Sequence, residues 1–265
     1  MKVELEGRTV CLGTGSGGLD SARPAVVFVH GAGFDHSVWV MPSRYFARHG
    51  YQVIAPDLPA HGASDGPALT SIPQMAQWLH RLLQSLQISS ATVVGHSMGS
   101  LVALCFAQAY PEATDKLVLL GASAPMPVGG VLLDAAQDDS PAAFAMANTW
   151  SHRHSGGLGA SRTPGVSNFV SGARWLQRMQ PGVYHADLSA CNEHDPQLPD
   201  PAPPCCVING AADKMTPMRA GLALVDALQG QAYVQTASIA GSGHSMLAER
   251  PNEVLDVMAD FVLGS

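Results

Sequence analysis

One pentapeptide limits what this chain can be more than any other stretch, Gly95-His96-Ser97-Met98-Gly99. The residues before it, Ala91 to Val94, are apolar and partly β-branched, as in a strand buried on both faces. Those after it, Leu101 to Tyr110, have the composition of a buried helix. A strand that turns so sharply into a helix holds its apical residue in a strained conformation. Glycines two before and two after remove the Cβ atoms that would collide there. Ser97 also falls at a helix N-terminus, where unpaired N–H groups and the helix dipole favour developing negative charge. The pattern reads as a nucleophile elbow.

Around this turn the chain alternates strands and helices. Ala25 to Val29 is a continuous apolar strand ending in His30-Gly31-Ala32-Gly33, whose small residues let the backbone turn back and aim amide groups above Ser97. His30 itself reads as a structural hydrogen-bonding residue. A helix is expected over Ser37 to His49 and a strand over Tyr51 to Ala55. Asp57 then heads a loop rich in turn formers and reads as a loop fastener. Ile72 to Leu86 has helical apolar spacing, and Lys116 to Leu120 is another buried strand with no carboxylate after it. Cys205 to Asn209 is a strand, Met218 to Leu228 a helix, Tyr233 to Ile239 the last strand and Pro251 to Leu263 a closing amphipathic helix. Asp213 and His244 each lie in a loop just past one of these strands. Ligand sites in open parallel sheets form beyond those carboxyl ends.

The rhythm breaks over residues 125–203. Helical patches at Leu132 to Gln137, Pro141 to Trp150 and Gly172 to Met179 are joined by Gly-rich turns around Gly156 to Gly165 and leave by a Pro-rich exit. This reads as a helical cap inserted into a core of residues 1–124 and 204–265. Phe34, Met126, Phe144, Trp150 and Trp175 are the candidates for an apolar substrate pocket.

Several alternatives fall on inspection. Val3 to Leu12 reads as one antiparallel edge strand, and Gly13-Thr14-Gly15-Ser16-Gly17-Gly18 after it matches G-x-G-x-x-G but precedes no helix, so a hairpin loop is expected instead of a dinucleotide site. His152, His154, His185 and His194 lack metal-ligand spacing, and no metal or cofactor is expected. A net charge of −7 with scattered arginines disfavours a nucleic-acid partner. The uncharged runs Ala91 to Tyr110 and Leu117 to Leu133 contain the elbow and several Pro and Gly residues, which disfavours a membrane span. Five cysteines without C-x-x-C read as reduced, buried thiols of a cytoplasmic protein.

Taken together, His30-Gly31-Ala32-Gly33, Asp57-Leu58-Pro59-Ala60-His61-Gly62, the elbow, Gly210 to Pro217 and Gly243-His244 make the chain resemble the α/β-hydrolase superfamily, specifically its capped, esterase-like members. Ala60 departs from the glycine that members often carry before the His-Gly pair. The resemblance implies a mostly parallel central sheet of about eight strands flanked by helices. It implies a catalytic triad of Ser97, Asp213 and His244 with an oxyanion hole from the backbone N–H groups of Ala32 and Met98. Hydrolysis of small esters or lactones by a monomer or homodimer is the expected activity. Carbon–carbon bond hydrolysis, cofactorless perhydrolase or haloperoxidase chemistry, and a non-catalytic ligand receptor stay open beside it.

Overall fold

The computed structural model describes residues 1–153 and 167–264. The turns expected around Gly156 to Gly165, and His154, lie outside the described residues. The first strands are β1 (Lys2–Leu5) and β2 (Arg8–Gly13), an antiparallel pair in which Val3 faces Val10. A single strand over Val3 to Leu12 is therefore wrong. Glu6 and Gly7 both take positive φ, 52° and 76°, and turn the chain back on itself.

The next elements are β3 (Ala25–Val29), α1 (Val40–Arg48), β4 (Gln52–Pro56), α2 (Ile72–Ser85), β5 (Ala91–His96), α3 (Met98–Ala109) and β6 (Thr114–Leu120). Residues Ser37 to His49 do not form one helix, because a 3-10 turn over His36–Trp39, capped by the Asp35 side chain, precedes α1. Among the described residues, four helices lie between β6 and the next strand: α4 (Gly130–Gln137), α5 (Pro141–Ser151), α6 (Asn168–Leu176) and α7 (Val183–Glu193). The chain closes with β7 (Cys205–Gly210), α8 (Met218–Gln229), β8 (Val234–Ile239), α9 (Met246–Glu249) and α10 (Pro251–Leu263).

The strands form one eight-stranded sheet in the order β1-β2-β4-β3-β5-β6-β7-β8. From β4 to β8 all neighbours pair in parallel, and β2 joins β4 antiparallel. Because β2 and β3 are not neighbours, the Gly13 to Gly18 segment is a crossover and not a hairpin loop. No helix follows it, as the sequence indicated.

Side chains alternate across the central strands and build a core on each face. Val27, Val93, Leu119 and Val207 meet α2 and α3 on one side. Val26, Phe28, Val94, Leu120 and Ile208 meet Trp39, Phe46 and α10 on the other. A third cluster, with Leu132, Ala136, Tyr184 and Leu188, belongs to the helices between β6 and β7. Phe28 is fully buried, with ring centroids 5.1 Å from Trp39 and 6.0 Å from Phe46. Truncating it leaves a cavity that rigid strands on either side cannot close. Phe28→Ala is expected to lower unfolding free energy by about 3–5 kcal/mol in equilibrium urea denaturation.

Candidate active site

Six loops leave the carboxyl ends of the six parallel strands on one edge of the sheet, and the site is assembled among them. After β5, Ser97 takes φ 54° and ψ −121°, a region that L residues avoid. Its N–H donates to the Leu120 carbonyl at 2.9 Å, which ties the turn to β6. A Cβ on Gly95 would strike the Gly99 carbonyl, and one on Gly99 would strike the Val29 carbonyl. The two glycines thus let strand, turn and helix approach to backbone contact. Met98 is the first residue of α3, a position whose N–H has no partner inside the helix.

The loop after β3 abuts this turn. A Cβ on Gly31 would lie 3.2 Å from the Ser97 Cβ, so glycine is what lets Ala32 reach the serine. His30 is fully buried, accepts from the Leu58 N–H at 3.1 Å through Nε2 and donates from Nδ1 to the Gly31 carbonyl at 2.9 Å. Burial, with the charge of His61 second, pushes its pKa down to about 4, so it stays neutral. The structural role read for His30 fits these bonds.

Asp213 and His244 are brought together from loops after β7 and β8. Asp213 Oδ2 lies 2.7 Å from His244 Nδ1, and Asp213 Oδ1 accepts from the N–H groups of Met215 and Thr216 at 2.8 and 2.9 Å. Thr216 Oγ1 donates to Oδ2 at 2.8 Å and sits 3.1 Å from His244 Nδ1. With acceptors around Nδ1, the network assigns the imidazole proton there and leaves Nε2 as the bare nitrogen. Burial would raise the Asp213 pKa, but the charge and hydrogen bond of His244, with the Thr216 donors, outweigh it and hold the carboxylate below its ordinary range. His96 Nε2 donates to the His244 carbonyl at 2.9 Å. Burial and the neighbouring His244 hold the His96 pKa down to about 3.

Two residues that sequence reasoning passed over shape this corner. Gly121, at φ 54°, would place a Cβ 3.1 Å from the His244 ring, so only glycine leaves the imidazole its space. Glu249 is buried, accepts from Gly243 N at 2.6 Å and from Arg153 N at 3.1 Å, and so staples the histidine loop to the end of α5. Gly121 stands at a strand's carboxyl end in the sequence, a signal that could have flagged it. Glu249 gives no such sign.

Ser97 and His244 line one cavity of about 520 Å³. Its wall includes Ala32, Phe34, Met126 and Trp150. Two expected pocket residues are elsewhere. Phe144 packs within the helical cluster, its ring 5.9 Å from Tyr184, so Tyr184 faces the cavity in its place. Trp175 meets Phe34 edge-on at 5.9 Å, donates to Ser37 Oγ at 3.0 Å and lines a neighbouring cavity of about 230 Å³. Leu132, Leu176, Leu188 and Met215 complete the apolar wall.

Asp57 is a fastener. Its carboxylate accepts from the His36 N–H at 2.7 Å, His36 Nδ1 at 2.6 Å and the Ala63 N–H at 2.9 Å. Cys11 lies close enough to complete a three-residue donor group with His36 and Asp57, but the carboxylate is already engaged by these internal bonds. Ala60 takes φ 67°, which explains why glycine suits that position and puts a cost of about 1 kcal/mol on alanine there.

A family model described as alpha/beta hydrolase fold matches residues 24–251, and the chain belongs to that family. The pimeloyl-[acyl-carrier protein] methyl ester esterase of Aromatoleum aromaticum is 30% identical over 263 residues, covering 91% of this chain and 99% of that protein. An uncharacterised Mycobacterium tuberculosis protein is 39% identical over 112 residues, a match that takes in 42% of this chain and 31% of that relative's length. The enol-lactonase of Burkholderia xenovorans LB400 has the same fold, with a TM-score of 0.85 at 20% identity, covering 99% of this chain and 100% of that one. Among the described residues, no helix is long and apolar enough to cross a membrane.

Removing the Glu249 carboxylate strands the Gly243 N–H in a buried site. Glu249→Ala is expected to cost about 1–3 kcal/mol in urea denaturation and to speed hydrogen exchange in peptides spanning the loop between β8 and α9.

Proposed function

We propose that the chain is a serine hydrolase of carboxylic esters, acting through an acyl-enzyme intermediate, with residues 125–203 as a cap over the substrate. The observation that carries this reading is the Asp213–His244 hydrogen bond of 2.7 Å, opening onto the cavity that holds the strained Ser97. A pure binding pocket has no use for an imidazole whose tautomer is set so carefully, which weighs against the receptor alternative. The Aromatoleum aromaticum relative is named as a methyl ester esterase, which favours an ester over the carbon–carbon substrates.

In this reading His244 Nε2 takes the Ser97 proton while the serine oxygen attacks the ester carbonyl. Asp213 stays ionised because its pKa is depressed, and it stabilises the imidazolium that forms. The oxyanion is received by the N–H groups of Ala32 and Met98, each such donor being worth about 3 kcal/mol of barrier. His244 then returns the proton to the leaving alkoxide. Water, activated by the same imidazole, attacks the acyl carbonyl and frees Ser97. His30 and His96, held neutral by burial, put no competing positive charge beside the reacting imidazole.

The apolar wall fits an uncharged acyl or alcohol part. With p-nitrophenyl butyrate, Ser97→Ala is expected to remove turnover by about 10⁶-fold and Asp213→Asn by about 10⁴-fold, while circular dichroism stays that of the parent. Turnover retained in the Ser97 variant sinks the reading. In a chain-length series, each acyl methylene buried in the cavity is worth about 0.8 kcal/mol, so kcat/KM is expected to climb up to about fourfold per CH₂ before levelling. A flat series, or hydrolysis confined to a ring-cleavage dienoate, rejects the apolar ester pocket.

A further inference from the structure

Outside the triad, the most unusual group in the molecule is a carboxylate at the centre of α7. Asp187 has no exposed surface, and the rest of that helix's buried face is Val183, Tyr184, Leu188, Ala190 and Cys191. Its Oδ2 accepts from the Gly33 N–H at 2.8 Å and lies 2.9 Å from His61 Nε2. The other ring nitrogen of His61 lies 3.0 Å from the Pro59 carbonyl, which can only accept. Both ring nitrogens therefore face groups able to accept, an arrangement that suits a protonated ring beside the Asp187 carboxylate. Burial works against that charge, but the charge and hydrogen bond of Asp187 and the Pro59 carbonyl together raise the His61 pKa.

This pair ends on the loop that carries Ala32. His30 Nδ1 holds the Gly31 carbonyl at 2.9 Å, and Asp187 holds the Gly33 N–H. The Gly31–Ala32 peptide is planar and trans, so fixing its carbonyl on one side fixes the Ala32 N–H on the other. Gly33, at φ 72°, is pressed against Met179 and Tyr184, leaving no space for a side chain. The loop is gripped at both ends, and the second grip comes from a helix whose Tyr184, Leu188 and Cys191 line the cavity.

We propose that Asp187 is a positioning residue for ester hydrolysis, which aims the Ala32 N–H at the developing oxyanion by clamping Gly33 N and His61 from the cap helix. The inference rests on the reading of Ser97 as nucleophile. It makes α7 part of the catalytic geometry as well as a wall of the pocket: a shift of that helix moves the oxyanion donor with it. Asp187 touches neither substrate nor the reacting atoms, so its effect is expected in the transition state and not in binding.

The test compares Asp187→Ala, Asp187→Asn and Ser97→Ala with the parent, using p-nitrophenyl butyrate turnover per folded protein and inhibition by butylboronic acid, whose tetrahedral adduct with a serine mimics the oxyanion. Asp187→Ala is expected to lower kcat about tenfold or more with KM within about twofold, and to weaken boronate inhibition by a similar factor. Asp187→Asn, which keeps an acceptor for Gly33 N but not the charge for His61, is expected to fall between the alanine variant and the parent. If the alanine variant does not fold, the asparagine variant is read by the same criterion. Unchanged kcat, a loss confined to KM, or a loss confined to the folded fraction overturns the proposal. Turnover by Ser97→Ala would bring down the nucleophile reading itself, whereas a dead Ser97→Ala beside a parent-like Asp187→Ala brings down this inference alone.

Discussion

The backbone of Ser97 sets the terms for everything around it. A residue at φ 54° and ψ −121° stores about 1–3 kcal/mol of strain and persists only where its neighbours leave it no alternative. Those neighbours are backbone: the Leu120 carbonyl that receives its N–H, and the Val29 and Gly99 carbonyls that exclude any side chain at Gly99 and Gly95. The parallel register around β5, with Val29 opposite Gly95 and His96 opposite Leu120, delivers all of them to one sheet edge. Core packing on both faces holds that register and so holds the strain. In this sense the large apolar core and the small polar site are one construction.

Among the described residues, His30, His61, His96 and His244 lie at this edge, and their surroundings give them different work. His30 and His96 are buried, neutral and spent on carbonyls of the loops beside them. His61 has the Pro59 carbonyl at one ring nitrogen and the Asp187 carboxyl group at the other. Of these four, only His244 has one ring nitrogen fixed by a carboxylate while it also lines the cavity. The same side chain thus serves as strut, carboxyl-group partner and candidate base according to what faces each ring nitrogen. Thr216 and Gly121 sharpen the last case, one by donating to Asp213 and the other by leaving the imidazole room.

The elbow, the parallel strands and the Asp213 and His244 loops were legible because each is written locally: an apolar run, then small or turn-forming residues. What escaped depends on distance. Helix α7 buries positions 183, 184, 187, 188, 190 and 191, a helical spacing, yet a carboxylate at 187 interrupts the apolar pattern. That carboxylate makes sense only beside His61 and Gly33, which lie 126 and 154 residues away. Phe144 and Trp175 illustrate the same limit, because an aromatic in a helical patch looks alike whether it faces a cavity or a neighbouring ring. The β1–β2 turn was missed because Glu6 adopts positive φ without being glycine.

The central claim is that Ser97 is the nucleophile, and covalent trapping tests it most directly. The protein would be treated with an alkyl p-nitrophenyl phosphonate, p-nitrophenol release counted, and the modified peptide located by mass spectrometry. The account predicts one equivalent of p-nitrophenol per chain, loss of esterase activity in step with it, and the adduct on Ser97. An adduct on another residue, or full esterase activity with Ser97 unmodified after prolonged treatment, would contradict it.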